Sequence, residues 1–401
     1  MRFSWRRRLL LISAVAIGLG SLAYGILFVV FPPRFPYPTF RFVSLADDAC
    51  DNALQSADLS SARPIIPNIV HYVWILKDPA ELVLGFKVFV SVYSAHYYFR
   101  PDRIYLHTDA APHVIEHARK KGSEWTKRVL ALPGVTVNHV EAPRYTKKGV
   151  KLDKLEHRSD FVRLQALREY GGVYLDADAM PLRDVAELRN SGFRNVVGQQ
   201  TGLAMWFHGY INNGVMFSVP NSTLMTLFYH AAHEFYDGEW DTASIKLLTD
   251  LANRLAAIPS EVLILQPQAF GPTSWERKDQ ERLFRPTPLD STAPGLEEHE
   301  TEQRLRNSTI QTNTCQNMLA WLKHREQLNE RLPDTKLLDF TSTYILHAVD
   351  NHAPAIIGNG RGVDVEYILA RQSSYARALF PAIRNAVLEG IVPKPEGVNL
   401  G

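Results

Sequence analysis

The chain has 401 residues, of which 46% are hydrophobic and 21% charged, and its formal net charge is +2. This composition excludes a disordered polymer, a collagen-like repeat and a small disulfide-rich protein, and it supplies enough apolar residues for one large domain or two smaller ones. A net charge this close to zero also argues against nucleic-acid partners, which require a concentrated basic surface.

The N-terminal end concentrates basic residues ahead of an apolar run. Residues 1–41 contain six arginines and no acidic residue, which leaves 42–401 at −4. The run Leu9–Phe31 has 23 residues without a charge. As a helix it would be about 34 Å long, enough to cross a hydrocarbon core of about 30 Å. We therefore predict a cytosolic tail over 1–8 and a transmembrane signal-anchor over 9–31, with a cleaved signal peptide as the alternative.

This N-terminal pattern predicts a topology for the rest of the chain. Under the positive-inside rule the arginines stay in the cytosol, so everything after the span lies on the other side. We predict a single-pass type II membrane protein with a stem over 32–63 and a globular domain over 64–401. Cys50 and Cys315 would then be able to form a disulfide, although two cysteines do not establish pairing.

From Pro64 onward, short β-type runs alternate with helical stretches. Apolar and β-branched runs predict strands over Ile65–Trp74, Arg103–His107, Val135–Val140 and Val173–Ala177. Helical periodicity predicts helices over Leu82–Phe99 and Leu155–Tyr170, and the second helix is closed by two glycines. This alternation predicts an α/β fold with a largely parallel sheet. The charged, proline-containing segment Arg277–Thr314 predicts a long surface insertion.

The segment Glu156–Pro181 carries the most specific chemistry. Asp160 and Arg163 are three residues apart on the predicted helix, so they share a face. Asp176 and Asp178 are two apart on a strand or at its end, so their carboxylates point the same way, and a divalent cation would relieve their repulsion. Either pattern alone is common in proteins. Their joint occurrence at a strand end, where α/β proteins bind ligands, predicts a binding site.

Two sequence blocks resemble glycosyltransferase family 32. Residues 159–178 (SDFVRLQALREYGGVYLDAD) resemble its DXD sugar-binding region, and Ile66–Trp74 (IPNIVHYVW) resembles its first strand. The two blocks match at about a dozen positions, a more specific signal than D-x-D alone. The resemblance implies a GT-A fold, in which helices flank a Rossmann-like, mostly parallel sheet. It also implies a retaining glycosyltransferase that uses a nucleotide-sugar donor and a divalent cation, usually Mn²⁺, with Mg²⁺ as the alternative.

The resemblance also implies catalytic and metal-binding roles for individual residues. Asp178 would ligate the cation directly, and Asp176 would contact the ribose and meet the cation directly or through water. Arg163 would reach the sugar or the diphosphate. His347 stands where relatives place a histidine that helps to hold metal or diphosphate. The family often follows that histidine with a tryptophan, which this chain lacks at the corresponding place.

Further positions would bind the donor according to the same resemblance. Trp74 would stack on or flank the base, although core packing is an equal alternative for it. His71 is the weaker candidate of that strand, with a structural role favoured over a ligating one. Asp160 would accept hydrogen bonds from hydroxyls of the ribose or sugar. Tyr174 would hydrogen-bond the donor or satisfy its hydroxyl within the core. Asn213, in the N-x-G segment that continues to Phe217, would lie near the donor sugar.

Several choices stay open at this stage. The donor is GDP-mannose, which the resemblance to the fungal branch of the family favours, or a UDP-hexose that carries galactose, glucose or N-acetylglucosamine. The acceptor is a glycan, a lipid or a small molecule. The membrane topology would place the enzyme in the Golgi or the endoplasmic reticulum, with a lumenal catalytic domain and a bilayer contact through 9–31. A non-catalytic lumenal glycan-binding protein is the rival class of function.

Overall fold

The computed structural model describes residues 64–201, 209–286, 338, 340, 342–349, 353–358, 362–398 and 400. The predicted tail, signal-anchor and stem, and both cysteines, lie outside these residues. Crossing a bilayer takes about 20 predominantly apolar residues, whereas the longest described helix has 16. No helix within the described residues is long and apolar enough to span a membrane. This finding contradicts the predicted single-pass type II protein of the Golgi or endoplasmic reticulum, and we withdraw that topology together with its bilayer contact.

Strands and helices alternate along the described chain. The strands are β1 Ile69–Trp74, β2 Arg103–Thr108, β3 Val135–His139, β4 Gly172–Leu175, β5 Ala179–Pro181, β6 Asn195–Gln199, β7 Ile211–Ser218, β8 Val262–Leu265 and β9 Ile345–His347. The helices are α1 Phe86–Phe99, α2 Pro112–Lys121, α3 Glu124–Ala131, α4 Leu155–Tyr170, α5 Ala186–Arg189, α6 Thr223–Phe235, α7 Leu247–Leu255, α8 Pro267–Phe270, α9 Arg277–Phe284, α10 Ala353–Ile357, α11 Val365–Ala370 and α12 Ser374–Leu388. A π-helical turn, Thr242–Lys246, directly precedes α7.

Seven of these strands form one sheet, in the order β3-β2-β1-β4-β7-β6-β8. Strand β7 runs antiparallel to its neighbours β4 and β6, and every other neighbouring pair is parallel. The predicted α/β class with a largely parallel sheet is therefore confirmed. Because β7 is reversed, its first residues lie beside the carboxyl end of β4.

Strand β4 is buried on both faces of the sheet. Val173 and Leu175 belong to one apolar core, which includes side chains of α1 and α12. Tyr174, between them, belongs to a second core with side chains of α4, α6 and α7. Because successive residues of a strand point to opposite faces, β4 is covered on both sides, as expected for a central strand of an α/β protein.

Helix α4 and the glycines after it follow the prediction closely. The helix spans Leu155–Tyr170, and Gly171 and Gly172 have φ angles of +64° and +99°. A Cβ at Gly171 would lie 2.6 Å from the Pro220 ring. Both the backbone conformation and the lack of space therefore require glycine where the chain turns from α4 into β4.

The strand that follows is shorter than predicted. Strand β4 ends at Leu175, and Asp176 and Asp178 lie in a turn rather than on a pleated strand. The Asp176 N–H still bonds the Gly214 carbonyl (2.8 Å), but the Ala179 N–H then bonds the Asp176 carbonyl (2.9 Å) and reverses the chain into β5. The common direction of the two carboxylates therefore arises from this turn, not from strand alternation.

Three further elements differ from the prediction by more than one residue. Strand β1 begins at Ile69 instead of Ile65, since Pro67 has no N–H for a ladder. Helix α1 begins at Phe86, not Leu82. The predicted surface insertion begins with a helix, α9, because Leu283 and Phe284 are fully buried in the first core. The part of that insertion after residue 286 lies outside the described residues.

Strands β5 and β9 form a separate two-stranded antiparallel sheet. Ala179 is the register partner of His347, and Pro181 is the partner of Ile345. The Ala348 N–H also bonds the Asp178 carbonyl at 3.0 Å. This small sheet brings a late segment of the chain against the turn that holds the two aspartates.

Candidate active site

Asp176, Asp178 and His347 form a compact group at the end of β4. One potential ligand atom from each residue lies within 4.8 Å of the others. The His347 Nε2 is 3.2 Å from Asp178 Oδ1 and 3.8 Å from Asp176 Oδ2. Two carboxylate oxygens and one imidazole nitrogen make a donor set that suits a divalent cation such as Mn²⁺. The structure thus brings together the three residues that the sequence had proposed as ligands.

Neighbouring groups hold the Asp176 carboxylate in one orientation. The Tyr174 hydroxyl donates to Asp176 Oδ1 at 2.6 Å, and Arg163 Nη2 lies 3.1 Å from the same oxygen. These contacts involve Oδ1, and Oδ2 is the oxygen that faces His347. A carboxylate whose second oxygen is fixed by hydrogen bonds is oriented before any ligand arrives.

Arg163 is the central cation of the site. Its side chain is buried and also lies 3.2 Å from Asp160 Oδ1, while its Nη1 donates to the Asn213 carbonyl at 3.0 Å. The guanidinium stacks over the Tyr174 ring, 4.5 Å from its centroid. Burial opposes its charge, but Asp176, Tyr174 and Asp160 raise the pKa of Arg163, so it stays protonated. Arg163 therefore orients Asp160 and Asp176 from within the protein.

Electrostatics distinguish Asp160 from Asp178. Burial raises the pKa of Asp160 to about 6, and the attraction of Arg163 only partly offsets this. Burial would likewise raise the pKa of Asp178, but His347 and then Lys87 outweigh it, so the net pKa of Asp178 is below its usual range. Asp178 is therefore ionised at neutral pH, as a metal ligand must be.

His347 responds to the same two carboxylates. Burial lowers its pKa, but Asp178 and Asp176 raise it by more, so the net shift is upward. The pair of aspartates therefore attracts positive charge to the position of the imidazole. A divalent cation bound by this group would replace the proton, because metal binding and protonation of histidine compete. The charge of the group and its ligand atoms both fit a divalent cation.

Gly214 provides the space for this arrangement. A Cβ at this position would lie 2.6 Å from both Asp176 Oδ2 and His347 Cε1, and 2.8 Å from Asn212 Oδ1. The Gly214 N–H bonds Asn212 Oδ1 at 2.6 Å, and the Asn212 side chain donates to Gln200 Oε1 at 2.8 Å. Only glycine lets the backbone of β7 approach the acidic group this closely.

Asp160 and Asn213 meet on the same side of the site. The Asn213 side chain donates to Asp160 Oδ1 at 2.9 Å, the oxygen that also faces Arg163. Trp74 is the last residue of β1 and lies at the carboxyl end of the sheet, half-buried and packed against the first core. The structure therefore joins Asp160 and Asn213 to the acidic group, and it gives Trp74 a core contact at the same sheet edge.

His71 is placed differently from the other predicted residues. It is fully buried, and its Nε2 bonds the Gly171 carbonyl at 2.7 Å. Its Nδ1 lies 2.9 Å from His107 Nε2, and His107 Nδ1 lies 3.0 Å from the Asn138 amide nitrogen. One assignment of protons satisfies the whole chain: His71 donates to Gly171, His107 donates to His71, and Asn138 donates to His107. Both ring nitrogens of His71 are used, which leaves none for a ligand.

The prediction missed several residues that shape the site. Gly214, Asn212 and Gln200 were not among the predicted site residues, although the N-x-G segment had been noted. Their role depends on the antiparallel pairing of strand β7 with β4, which no local sequence pattern predicts. Lys87 on α1 acts electrostatically on Asp178 from about 90 residues away in sequence. A lone lysine in an apolar helix gives no sequence signal of such a contact.

Residues 92–201 match the family described as "Glycosyltransferase sugar-binding region containing DXD motif". This stretch of the chain is therefore similar to the sugar-binding region of DXD glycosyltransferases. The matched range contains Asp160, Arg163, Tyr174, Asp176 and Asp178, so the predicted family resemblance is confirmed. His347 lies beyond the range and joins the site through β9.

Individual relatives are more distant. The chain is 25% identical to Glucan organizing enzyme 1 of Cryptococcus neoformans var. grubii serotype A over 238 residues. The alignment covers 58% of this chain and 61% of that protein. The chain therefore spans about three fifths of this relative's length. Among solved structures, PaToxG Glycosyltransferase is 16% identical, with a TM-score of 0.37 over 52% of this chain and 75% of that one. The glycosyltransferase GlyE of Streptococcus pneumoniae TIGR4 is 11% identical, with a TM-score of 0.35. That alignment covers 83% of this chain and 66% of GlyE.

Proposed function

We propose that this protein is a metal-dependent glycosyltransferase that moves a hexose from a nucleotide-sugar donor to a hydroxyl of an acceptor. The observation that carries the proposal is the group Asp176, Asp178 and His347, in which β9 brings His347 against the two aspartates of the DXD segment at the end of a parallel strand. Such strand ends are where α/β proteins bind nucleotides. The intact metal-ligand set argues against the rival function of a non-catalytic glycan-binding protein.

The three residues would hold a divalent cation, for which we propose Mn²⁺. Bound there, the cation would supply Lewis-acid stabilisation of the negative charge that develops on the diphosphate as the glycosidic bond breaks. Arg163 and Tyr174 contribute by fixing the Asp176 carboxylate before the donor arrives, so that no reorganisation is needed in the transition state. Asp160, held by Arg163 and Asn213, is available to accept a hydrogen bond from a sugar hydroxyl.

The stereochemical course that we propose is retention. A covalent intermediate would need a free carboxylate close to the anomeric carbon. In the part of the chain that the structure describes, Asp160 and Asp176 are both paired with Arg163, and Asp178 faces His347. We therefore favour attack by the acceptor on the face that the diphosphate leaves. The donor we favour is GDP-mannose, with a UDP-hexose as the alternative, and the acceptor is a glycan, a lipid or a small molecule.

The test is hydrolysis and transfer with defined donors. The purified chain is incubated with GDP-mannose, UDP-galactose, UDP-glucose or UDP-N-acetylglucosamine, in Mn²⁺, Mg²⁺ or chelator, and release of nucleoside diphosphate is measured. We expect one donor to be hydrolysed only with a divalent cation. Asp178→Asn should lower that rate by at least about a hundredfold, because one charged ligand is lost while the shape of the side chain is kept.

Asp153→Asn is the matched control for this substitution. Asp153 pairs with Lys151 on the surface, and its side chain is 69% exposed, so its replacement should leave the rate unchanged. No hydrolysis of any donor by the parent protein would refute the transferase function. A parent rate in Asp178→Asn would instead refute the metal site.

A further inference from the structure

Helix α1 carries a single lysine, Lys87, among mostly apolar residues. The residues on either side of it, Phe86 and Val88, are buried in the first core, and Lys87 itself is half-buried. Removing an ammonium group even partly from water costs free energy unless negative charge lies nearby. A lysine at this position of an otherwise apolar helix therefore indicates an anionic neighbourhood.

The first turn of α1 lies at the sheet edge that carries the two aspartates. The Asn68 side chain, just before β1, donates to the carbonyls of Phe99 (3.1 Å) and Arg100 (3.0 Å) at the other end of the helix. Helix α1 therefore runs antiparallel to β1, and its start lies at the carboxyl end of that strand. Because β4 is the parallel neighbour of β1, Lys87 and the turn after β4 share this edge.

Ser91, one helical turn after Lys87, fixes α1 against the turn that holds the aspartates. Its hydroxyl donates to the carbonyl of Ala179, the residue after Asp178, at 2.6 Å, and it lies 3.0 Å from the Tyr72 hydroxyl. Residues four apart on a helix share a face, and helical side chains tilt towards the start of the helix. Lys87 therefore extends from the face of α1 that packs on this turn, towards the open edge of the sheet.

The charge of Lys87 acts on the acidic group, as this placement requires. Burial raises the pKa of Asp178, but His347 and then Lys87 lower it by more. Lys87 does not belong to the group of potential metal ligands, since an ammonium has no lone pair to offer. It is thus a cationic neighbour of the candidate metal site.

The other cation of the site, Arg163, is already balanced within the protein. Its side chain is buried, and its Nη2 lies 3.2 Å from Asp160 Oδ1 and 3.1 Å from Asp176 Oδ1. Its Nη1 donates to the Asn213 carbonyl at 3.0 Å. Two carboxylates share this one guanidinium, so its positive charge is offset before any donor arrives.

The charges of the site leave the donor's diphosphate without a counterion when Lys87 is left out. Asp160, Asp176 and Asp178 together offset both Arg163 and a bound divalent cation. A nucleotide sugar brings one negative charge on each of its two phosphates, and the diphosphate gains more as the glycosidic bond breaks. A further positive charge at the sheet edge would stabilise the diphosphate at that stage.

We propose that Lys87 binds the diphosphate of the nucleotide-sugar donor and stabilises it as it leaves. The inference rests on the proposed transferase function and adds a cationic side chain to its metal site. The bond between the anomeric carbon and the diphosphate oxygen breaks, and its electron pair stays on that oxygen. The acceptor oxygen forms the new bond and passes its proton to the diphosphate. The Lys87 ammonium keeps its protons and donates them as hydrogen bonds to phosphate oxygens.

Three measurements on the purified chain test this contact. Calorimetric titration gives the affinity for GDP and for UDP with Mn²⁺ present, a second titration gives the affinity for Mn²⁺ without nucleotide, and donor hydrolysis gives kcat and KM. Lys87→Met removes the charge but keeps the length of the side chain, and Lys87→Arg keeps the charge. The control Lys120→Met removes the same charge from the surface of α2, where the Lys120 side chain is 76% exposed. Thermal melting verifies that each variant folds.

We expect Lys87→Met to weaken binding of the nucleoside diphosphate by about tenfold or more. The kcat of hydrolysis should also fall by at least about tenfold, because the contact strengthens as charge develops on the diphosphate. The affinity for Mn²⁺ without nucleotide should stay equal or rise, because Lys87→Met removes a charge that repels the cation. Lys87→Arg should retain most of the nucleotide affinity, and Lys120→Met should behave like the parent.

Three results would overturn the proposal. Parent affinity for GDP and UDP in Lys87→Met would mean that the diphosphate does not contact Lys87. A loss of Mn²⁺ affinity without nucleotide as large as the loss of nucleotide affinity would mean that Lys87 only holds Asp178 in place. Failure of the parent protein to bind either diphosphate would also exclude the contact. A parent protein that binds a diphosphate but hydrolyses no donor refutes the transferase function instead, and weaker binding by Lys87→Met would still support the contact.

Discussion

Gly214→Ala should disable the metal site while the rest of the fold stays intact. The added methyl group would lie 2.6 Å from Asp176 Oδ2, 2.6 Å from His347 Cε1 and 2.8 Å from Asn212 Oδ1. Ordinary contacts begin at 3.4 Å, so the first two atoms would each have to withdraw by about 0.8 Å. All three neighbours belong to side chains, so the backbone of β7 can stay in place.

That displacement is large compared with the tolerance of a metal site. Ligand distances in protein metal sites vary by only about ±0.2 Å, so Asp176 and His347 would no longer reach one cation together. We expect the affinity for Mn²⁺ to fall by about a hundredfold, comparable to the stronger effects of disturbing groups around a metal. Overpacking should cost about 1–3 kcal/mol of folding stability, which leaves most domains folded.

Metal affinity and stability are measured separately for this variant. Calorimetric titration with Mn²⁺ in the presence of nucleoside diphosphate gives the affinity, and chemical denaturation with chelator present gives the free energy of unfolding. Gly85→Ala is the matched control, because a Cβ there meets nothing within 4 Å and its φ is −87°. Gly85 precedes α1, so its replacement should cost about 1 kcal/mol of stability at most and no metal affinity.

The outcome that would refute this reasoning is specific. Gly214→Ala with the parent's affinity for Mn²⁺ would mean that the cation does not bind among Asp176, Asp178 and His347. Equal loss of metal affinity in Gly85→Ala would mean that the assay reports general destabilisation instead of the close approach of β7.

Two further predictions concern the tyrosine at the site and the buried histidine pair. Tyr174→Phe keeps the ring under Arg163 but removes the hydroxyl that donates to Asp176 Oδ1; we expect metal affinity to fall about tenfold, and a metal titration that matches the parent would contradict this. Burial lowers the pKa of His71 to about 4 and of His107 to about 3. Below pH 6.5 both histidines therefore become protonated in the unfolded chain while they stay neutral in the folded protein. Stability should therefore be complete above about pH 6.5 and fall below it, by up to about 1.4 kcal/mol per pH unit for each histidine. In denaturation experiments, the stability difference between the parent and His107→Gln should shrink from pH 7 to pH 5, and a constant difference would exclude this contribution.

Local patterns in the sequence predicted the elements that depend on neighbours along the chain. Helix α4 and the two glycines after it are found as predicted, because apolar periodicity and a glycine stop act over a few residues. The DXD block was recognised for the same reason, since its residues lie within 20 positions of one another. Helix α9 was missed because its apolar residues, Leu283 and Phe284, are few and become buried only through tertiary packing.

The sequence predicted the members of the group Asp176, Asp178 and His347, but it did not predict how the fold brings them together. Asp176 and Asp178 are neighbours in a turn, whereas Gly214 arrives through the reversed strand β7 and His347 through β9. Strand pairing across such separations depends on which apolar faces the whole chain can bury together, and no short window records that choice. Sequence alone therefore determined which residues carry charge and can bind metal. The tertiary structure decided which of them meet, and it buried His71 within the protein instead of placing it in the site.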